Sequence, residues 1–263
     1  MKTQSASWIL AAAKILVTNP INAPLYAYDS LMGRRTKARR IKFGDIELKI
    51  RTGSPDLKVV RSCLLGEFDE VYSYISGRHK LIIDVGGYIG LVSILFARKF
   101  PDSQIVCLEP SSENFELCSF NTRPYRNIKV LNAALANSSG TATLKDRGTG
   151  QWGFTIVESS ADNAGAQPLE QVRTVTIEDI LRLEGKQGVD LVKLDIEGGE
   201  YALLKDCPNW VDHVDVIVAE IHDKICPGAS AVFDAAMAGR QEVPLQGEKR
   251  MSILADGQIK RDV

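Results

Sequence analysis

The sequence predicts an α/β protein built on a doubly wound, mostly parallel sheet. Two observations carry that expectation. From Leu81 onward, short β-rich runs alternate with helical patterns, the rhythm of repeated βαβ units. The stretch Leu81–Leu91, LIIDVGGYIGL, passes from an apolar run through Gly86, Gly87 and Gly90 into a second apolar segment. A strand that leads through glycines into a helix forms a nucleotide-sized site in such sheets. Glycine allows positive φ and close approach of a ligand to the backbone. The following helix N-terminus presents unpaired N–H groups.

Taken in order, residues 1–40 read as helical and then basic. The apolar run Trp8–Val17 is interrupted by Lys14 and falls short of the roughly 18 residues that span a bilayer. A surface-docked or partner-packed helix, including a dimer-packing one, is the expectation there. A signal peptide fits poorly, because Pro20 and Pro24 follow without a clear small-x-small cleavage site. Residues 1–40 hold seven basic groups and one acid, +6, so the remainder carries −7 of the formal net charge of −1. The run Arg34–Arg40, RRTKARR, could touch an anionic surface or nucleic acid, but a solvated basic loop is the simpler reading, and the aromatic–basic interleaving of a single-strand nucleic-acid platform does not follow it.

Ile41–Arg51 alternates around Gly44-Asp45 and reads as a hairpin. Leu57–Ser76 has a helical pattern. Together these predict an N-terminal helical and hairpin cap over residues 1–76, with Glu67 and Tyr72 as candidate contacts to cofactor or substrate. A second domain runs from 77 to 263. Its strands are expected at Leu81–Val85, Ile105–Glu109, Ile128–Ala134, Val189–Leu194 and Val214–Glu220. Helices are expected at 91–99, at 113–121 after a Ser111 or Ser112 cap, and after Thr176, where Asp179 completes a capping box. Gly140–Thr176 breaks the rhythm and predicts a β-hairpin insertion with a loop at Ser159–Pro168. Five scattered cysteines without C-x-x-C spacing argue against a disulfide framework and a zinc site. A reducing cytoplasm is the expected compartment.

Spacing narrows the ligand. From Gly86 the dinucleotide pattern Gly-x-Gly-x-x-Gly would need glycines at Tyr88 and Leu91, so it fails. Asp84, Gly86 and Gly90 fit Asp-x-Gly-x-x-x-Gly, the first motif of class I S-adenosylmethionine (SAM) methyltransferases. Glu109 ends the next strand 23 residues after Gly86, about where an acid accepts the ribose hydroxyls in doubly wound folds. With a serine capping the next helix, Glu109 is expected to be free for that role. Strand ends also bring Asp195, Glu197, Glu220 and His222 toward one region. Such a cluster suits proton abstraction from a hydroxyl. It also leaves room for a divalent ion, although none is expected. Asp195 has a simpler alternative in pairing with Lys193, and Glu200 in facing solvent from its helix.

On these residues the chain resembles the FkbM family of SAM-dependent methyltransferases. DVGGYIG at Asp84–Gly90 is close to the family's DVGANIG, and KLDIEGGE at Lys193–Glu200 fits its KxDxEGxE signature. Glu109-Pro110, the stretch Asn132–Leu135 with Ser139-Gly140, and the ending Glu220-Ile221-His222 also match. The resemblance covers roughly residues 60–240. Gly87 and Tyr88 depart from the family's Ala and Asn. The resemblance implies a Rossmann-like class I methyltransferase sheet and O-methylation of a sugar or natural-product hydroxyl. It implies a cofactor site of Asp84, Gly86, Gly87, Tyr88, Gly90, Glu109, Pro110, Asn132 and Ala133. Asp195, Glu220 and His222 are then expected to position and deprotonate a small-molecule acceptor. No nucleic-acid partner is expected. A nucleic-acid methyltransferase would want an Asn/Asp-Pro-Pro-aromatic motif, which is missing here. A non-catalytic SAM-binding scaffold would not need acids at both strand ends.

Overall fold

The computed structural model describes residues 19–33, 37–157, 165–245 and 247–255. The segment Trp8–Val17, the first part of the basic run and most of the loop expected at 159–168 lie outside them. The chain forms two compact units that divide between Leu65 and Gly66, earlier than the boundary expected at 76.

In the first unit, helix α1 (Asn22–Leu31) is followed by the expected hairpin, β1 (Ala38–Phe43) paired antiparallel with β2 (Ile46–Arg51). Ile41, Phe43, Ile46, Leu48 and Ile50 bury its apolar positions. Helix α2 (Asp56–Leu64) is tied to β2 by Asp56, which accepts from the Arg51 backbone N–H and from its guanidinium. The expected long helix thus ends at Leu64 rather than at Ser76. Gly66 turns the chain at φ +91°, where a Cβ would lie 2.6 Å from the Asp69 carboxylate, and only a 3-10 turn, Val71–Tyr74, follows.

The second unit carries the doubly wound sheet. Strands β3 (Leu81–Val85), β4 (Gln104–Leu108), β5 (Ile128–Leu131), β10 (Val189–Leu194) and β11 (Val214–Glu220) pair in parallel. Helices α3 (Leu91–Lys99), α4 (Ser112–Thr122), α5 (Ile177–Glu184), α6 (Gly199–Leu204) and α7 (Ala229–Ala236) alternate with them. Ser111 caps α4, and Thr176 with Asp179 forms a capping box on α5. Two C-terminal strands unforeseen in the sequence, β12 (Gln241–Pro244) and β13 (Lys249–Ile253), extend the sheet, β13 antiparallel to β11 and β12 antiparallel to β13. The strand order β12-β13-β11-β10-β3-β4-β5 puts the topological switch between β3 and β10. The chain moves outward from β3 through β4 and β5, then returns to the other side at β10. Ligands in such sheets sit outside the strand carboxyl ends at that switch.

The third expected strand is shorter than its apolar run. It stops at Leu131, and Asn132 donates through Nδ2 to the carbonyls of Glu109 and Pro110, at 3.0 and 2.8 Å. The chain then enters a second sheet, ordered β6-β9-β7-β8, formed by β6 (Ala134–Leu135), β7 (Gly140–Asp146), β8 (Phe154–Thr155) and β9 (Gln167–Val175). The predicted insertion thus supplies three strands, β7, β8 and β9, of a four-stranded sheet that has its own small core of Ala134, Leu144 and Val172.

Candidate active site

The glycine turn after β3 is held from inside. Gly86 and Gly87 both donate to the Leu108 carbonyl at the end of β4, Tyr88 donates to Glu109 Oε2 at 2.7 Å, and Gly90 donates to the Gly87 carbonyl. Each glycine meets a near neighbour. A Cβ on Gly86 would lie 2.0 Å from the Asp195 carbonyl oxygen, one on Gly87 2.1 Å from Cys107 Sγ, and one on Gly90 2.7 Å from Thr122 Cγ2. The glycines therefore let the turn nest against β4, α4 and the loop after β10. Tyr88, buried at φ +51°, occupies the left-handed region that asparagine tolerates far better than a bulky residue. Where this chain leaves the family pattern, it does so at a strained position.

Beneath the turn lies a buried charge network. Asp84 is fully buried, accepts from Ser93 Oγ at 2.6 Å, and lies 3.3 Å from Lys193 Nζ. Lys193 donates to the carbonyls of Val85 and Gly86 and approaches Asp195 at 3.6 Å. Burial opposes its charge, but Asp84 and Asp195 outweigh that and raise its pKa. Asp84, expected in the cofactor site, lies beneath the turn. In a central parallel strand both faces are covered, and its carboxylate anchors Lys193 there. Ala133, expected to border a cofactor, likewise packs into the core.

Glu109 is almost wholly buried at the end of β4. Burial pushes its pKa up to about 7, against the pull of its hydrogen bonds from Tyr88, Ser111 and Asn114 and of the Lys193 charge. Oε2 accepts from Tyr88 N–H, while Oε1 accepts from Ser111 N–H and Asn114 Nδ2. The residue is not free, as the sequence suggested. A carboxylate has about four acceptor sites, so one on Oε2 remains beyond these three contacts. Pro110 and Asn132, joined by their hydrogen bond, form the neighbouring rim.

Across the switch, ligand atoms of Asp195, Glu197 and His222 lie within 4.8 Å of one another. The KLDIEGGE segment builds this cluster. Glu197 takes φ +52°, and Gly198 takes φ +93° with a virtual Cβ 2.7 Å from Ile225. Strain of this kind concentrates at functional sites. Glu200, expected to face solvent, is fully buried. Its carboxylate accepts from the N–H groups of Ile196 and Gly198 and meets His222 Nδ1 at 3.1 Å. Burial disfavours the imidazolium, but Glu200, with Glu197 and Asp195, overrides it and lifts the His222 pKa to about 9. His222 is therefore a cation at neutral pH and not a free base. Burial raises Glu197 to about 7, helped by Asp195 and opposed by His222 and Arg147.

Glu220 does not serve in this cluster. Its carboxylate pairs with Lys249 at 3.0 Å, and Lys249 also holds Glu67 at 2.6 Å. The strand β13 that brings Lys249 was missed in the sequence, and with it the cation that claims Glu220. Tyr72 packs edge-on against Phe96 and Phe100. One residue that sequence reasoning never singled out does reach the site. Arg147, just past β7 of the insertion, donates to Glu197 Oε2 at 2.6 Å. Further along the same loop, the Gln151 carbonyl accepts from Asn114 Nδ2, the amide that also serves Glu109. The loop of the insertion is thus tied to both halves of the crevice. With Lys193, Arg147 and His222 among them, the carboxylates of the cluster already have cationic partners.

The crevice as a whole is rich in acceptors. Glu109 beside the glycine turn and Asp195 across the switch suit a ligand that presents hydroxyl and ammonium donors, as the ribose diol and methionine end of SAM do.

Comparison with known proteins adds the lineage. Residues 84–237, more than half of the chain, match the family model described as the methyltransferase FkbM domain. Methyltransferase sdnD of Sordaria araneosa is 26% identical over 159 residues, 49% of this chain and 61% of that protein. Hexuronic acid methyltransferase AglP of Haloferax volcanii is 22% identical over 145 residues, 55% of this chain and 56% of that protein. The chain spans 56 to 64% of the length of the curated relatives it matches. Among solved structures, the O-methyltransferase TomG from Streptomyces achromogenes, in complex with SAM, is similar at 13% identity and a TM-score of 0.42, covering 74% of this chain and 80% of that one. With the two signature segments at the switch point of its sheet and the match across residues 84–237, the chain belongs to the FkbM methyltransferase family.

Proposed function

We propose that the chain is a SAM-dependent O-methyltransferase that acts on a hydroxyl of a sugar or natural-product small molecule. The observation that carries this reading is the Asp195–Glu197–His222 cluster, set across the sheet switch from the glycine turn and Glu109. SAM, when bound, supplies an electrophilic methyl group on a sulfonium that loses its charge on transfer.

The remaining chemistry falls to the chain. Glu109 offers its spare acceptor site to the ribose hydroxyls, and Asn132 and Pro110 border the base. Asp195, with its carboxylate partly exposed beside the turn, faces cationic groups. An alcohol is a weak nucleophile, so its proton must leave as the new C–O bond forms. Glu197 takes that proton. Its pKa of about 7 matches a general base working near neutrality. Protonated His222, held by Glu200, orients the acceptor oxygen. This division of labour replaces the expectation that Asp195, Glu220 and His222 share the base role.

The test uses the full chain, methyl-labelled SAM and a small-molecule extract of its source cells. The reading predicts a labelled product with the methyl on oxygen. It also predicts that Glu197→Gln lowers turnover by roughly 10²- to 10⁴-fold, the usual worth of a positioned base, with SAM affinity retained. Label found only in nucleic acid, or a Glu197→Gln enzyme of normal turnover, overturns it.

A further inference from the structure

Charged residues continue past the carboxylate cluster. In the register of β10 against β11, Leu194 stands opposite Ala219, so Asp195 and Glu220 follow side by side at the strand ends. On the other flank of β11, Glu220 stands opposite Lys249, the first residue of β13. Residues in register across a sheet share a face. Ile221, between Glu220 and His222, donates its N–H to the Glu248 carbonyl. The start of β13 is thus the flank of the crevice beyond His222.

Lys249 holds Glu220 at 3.0 Å and Glu67 at 2.6 Å, and none of the three is sealed: their side chains are 19%, 29% and 20% exposed. Two acids on one cation leave the group with an excess of negative charge. An ammonium has three N–H donors, of which the two carboxylates take two, and Glu220 keeps acceptor sites beyond its contact with Lys249. A spare donor and a spare acceptor therefore stand side by side, 3.0 Å apart. Two hydroxyl oxygens on neighbouring carbons have a similar separation. One can donate to Glu220 while the other accepts from Lys249. An apolar surface placed there would desolvate both charges without replacing their hydrogen bonds with water. A phosphate would meet the excess negative charge. The chemistry of this flank selects an uncharged, hydroxyl-rich molecule such as a sugar.

We propose that Glu220 and Lys249, braced by Glu67, are positioning residues that grip a vicinal diol of the acceptor beside the hydroxyl that is methylated. The inference rests on the O-methyltransferase reading above and narrows its acceptor class. The test uses the full chain, methyl-labelled SAM and the small-molecule extract of its source cells, in two arms. In the first, the extract is treated with periodate, which cleaves vicinal diols, and the reagent is quenched before the enzyme is added. The label should be lost. In the second, the extract is titrated against variants. Lys249→Met should raise the KM for the acceptor by roughly tenfold to a hundredfold, the worth of a hydrogen bond to a charged group, with kcat and SAM affinity kept. Lys249→Arg, which retains a charged donor, should recover part of it. Glu220→Gln, which keeps the shape, should raise the KM in the same way with a wild-type melting curve. Labelling that survives periodate overturns the subsite. An unchanged KM in Lys249→Met or Glu220→Gln does so too. So does a loss of kcat and SAM affinity along with KM, since that marks a brace of the fold. Those results leave the O-methyltransferase reading standing. A wild-type chain that labels nothing in untreated extract overturns that reading and the subsite with it.

Discussion

Replacing Gly86 with alanine tests whether the turn after β3 and the loop after β10 are held as one unit. Two costs follow from the structure. At φ +81° an L-residue pays for the left-handed region, about 1–2 kcal/mol. The new Cβ would also lie 2.0 Å from the Asp195 carbonyl oxygen, a backbone atom that yields only if the KLDIEGGE loop shifts. Overpacking of this kind costs about 1–3 kcal/mol, for a sum of about 2–5 kcal/mol. Gly185→Ala separates the two terms. That residue takes φ +62° with nothing within 4 Å of its virtual Cβ, so it pays only the first. The assay is urea unfolding of both variants. With an m-value of about 3 kcal/mol/M, the extra clash lowers the Gly86→Ala midpoint by about 0.3–1 M relative to Gly185→Ala. SAM affinity by calorimetry should fall for Gly86→Ala alone, because Asp195 moves with its carbonyl. Equal midpoints and wild-type affinity would refute the claim that the two loops are interlocked.

Other consequences concern the cluster. The His222 ring, near 6.5 when unfolded, is held protonated to about pH 9 in the folded chain. The stabilisation it gains from Glu200 is therefore complete below about pH 6.5 and lost as the pH climbs through about 9. Nuclear magnetic resonance titration should give His222 a pKa near 9 in the wild type and a clearly lower one in Glu200→Gln; identical values would remove Glu200 from this role. Arg147→Met deprives Glu197 of a cation, so its pKa rises and the acid limb of turnover against pH moves above about 7. Arg147→Lys should bring it part of the way back, and an unmoved limb in Arg147→Met would show that the ion pair does not tune the base.

Much of the fold was legible because the strands of a parallel sheet are continuous apolar runs and the glycines mark its switch. The signature segments located the crevice for the same reason. What escaped has particular causes. Asp84 sits on the strand LIIDV, buried at every position, where no alternation shows which way an acid points. Glu200 lies on a helix of six residues, too short for a pattern to tell its inner face from its outer one. Glu220 is claimed by Lys249 from a strand inside the sheet whose run, KRMSI, holds only two apolar residues to announce it. Arg147 reaches Glu197 from 50 residues away, a contact that only the tertiary fold creates. In each case a charged residue found its partner across elements, which local sequence does not encode.

The central claim is that the crevice between the glycine turn and the carboxylate cluster holds SAM through Glu109. Calorimetric titration of the full chain with SAM, alongside Glu109→Ala, tests it most directly. Saturable one-to-one binding that weakens by about tenfold or more in Glu109→Ala, in keeping with the loss of a hydrogen bond to a charged group, is the predicted result. A wild-type chain that binds no SAM, or a Glu109→Ala variant that binds it as tightly as the wild type, would contradict the account.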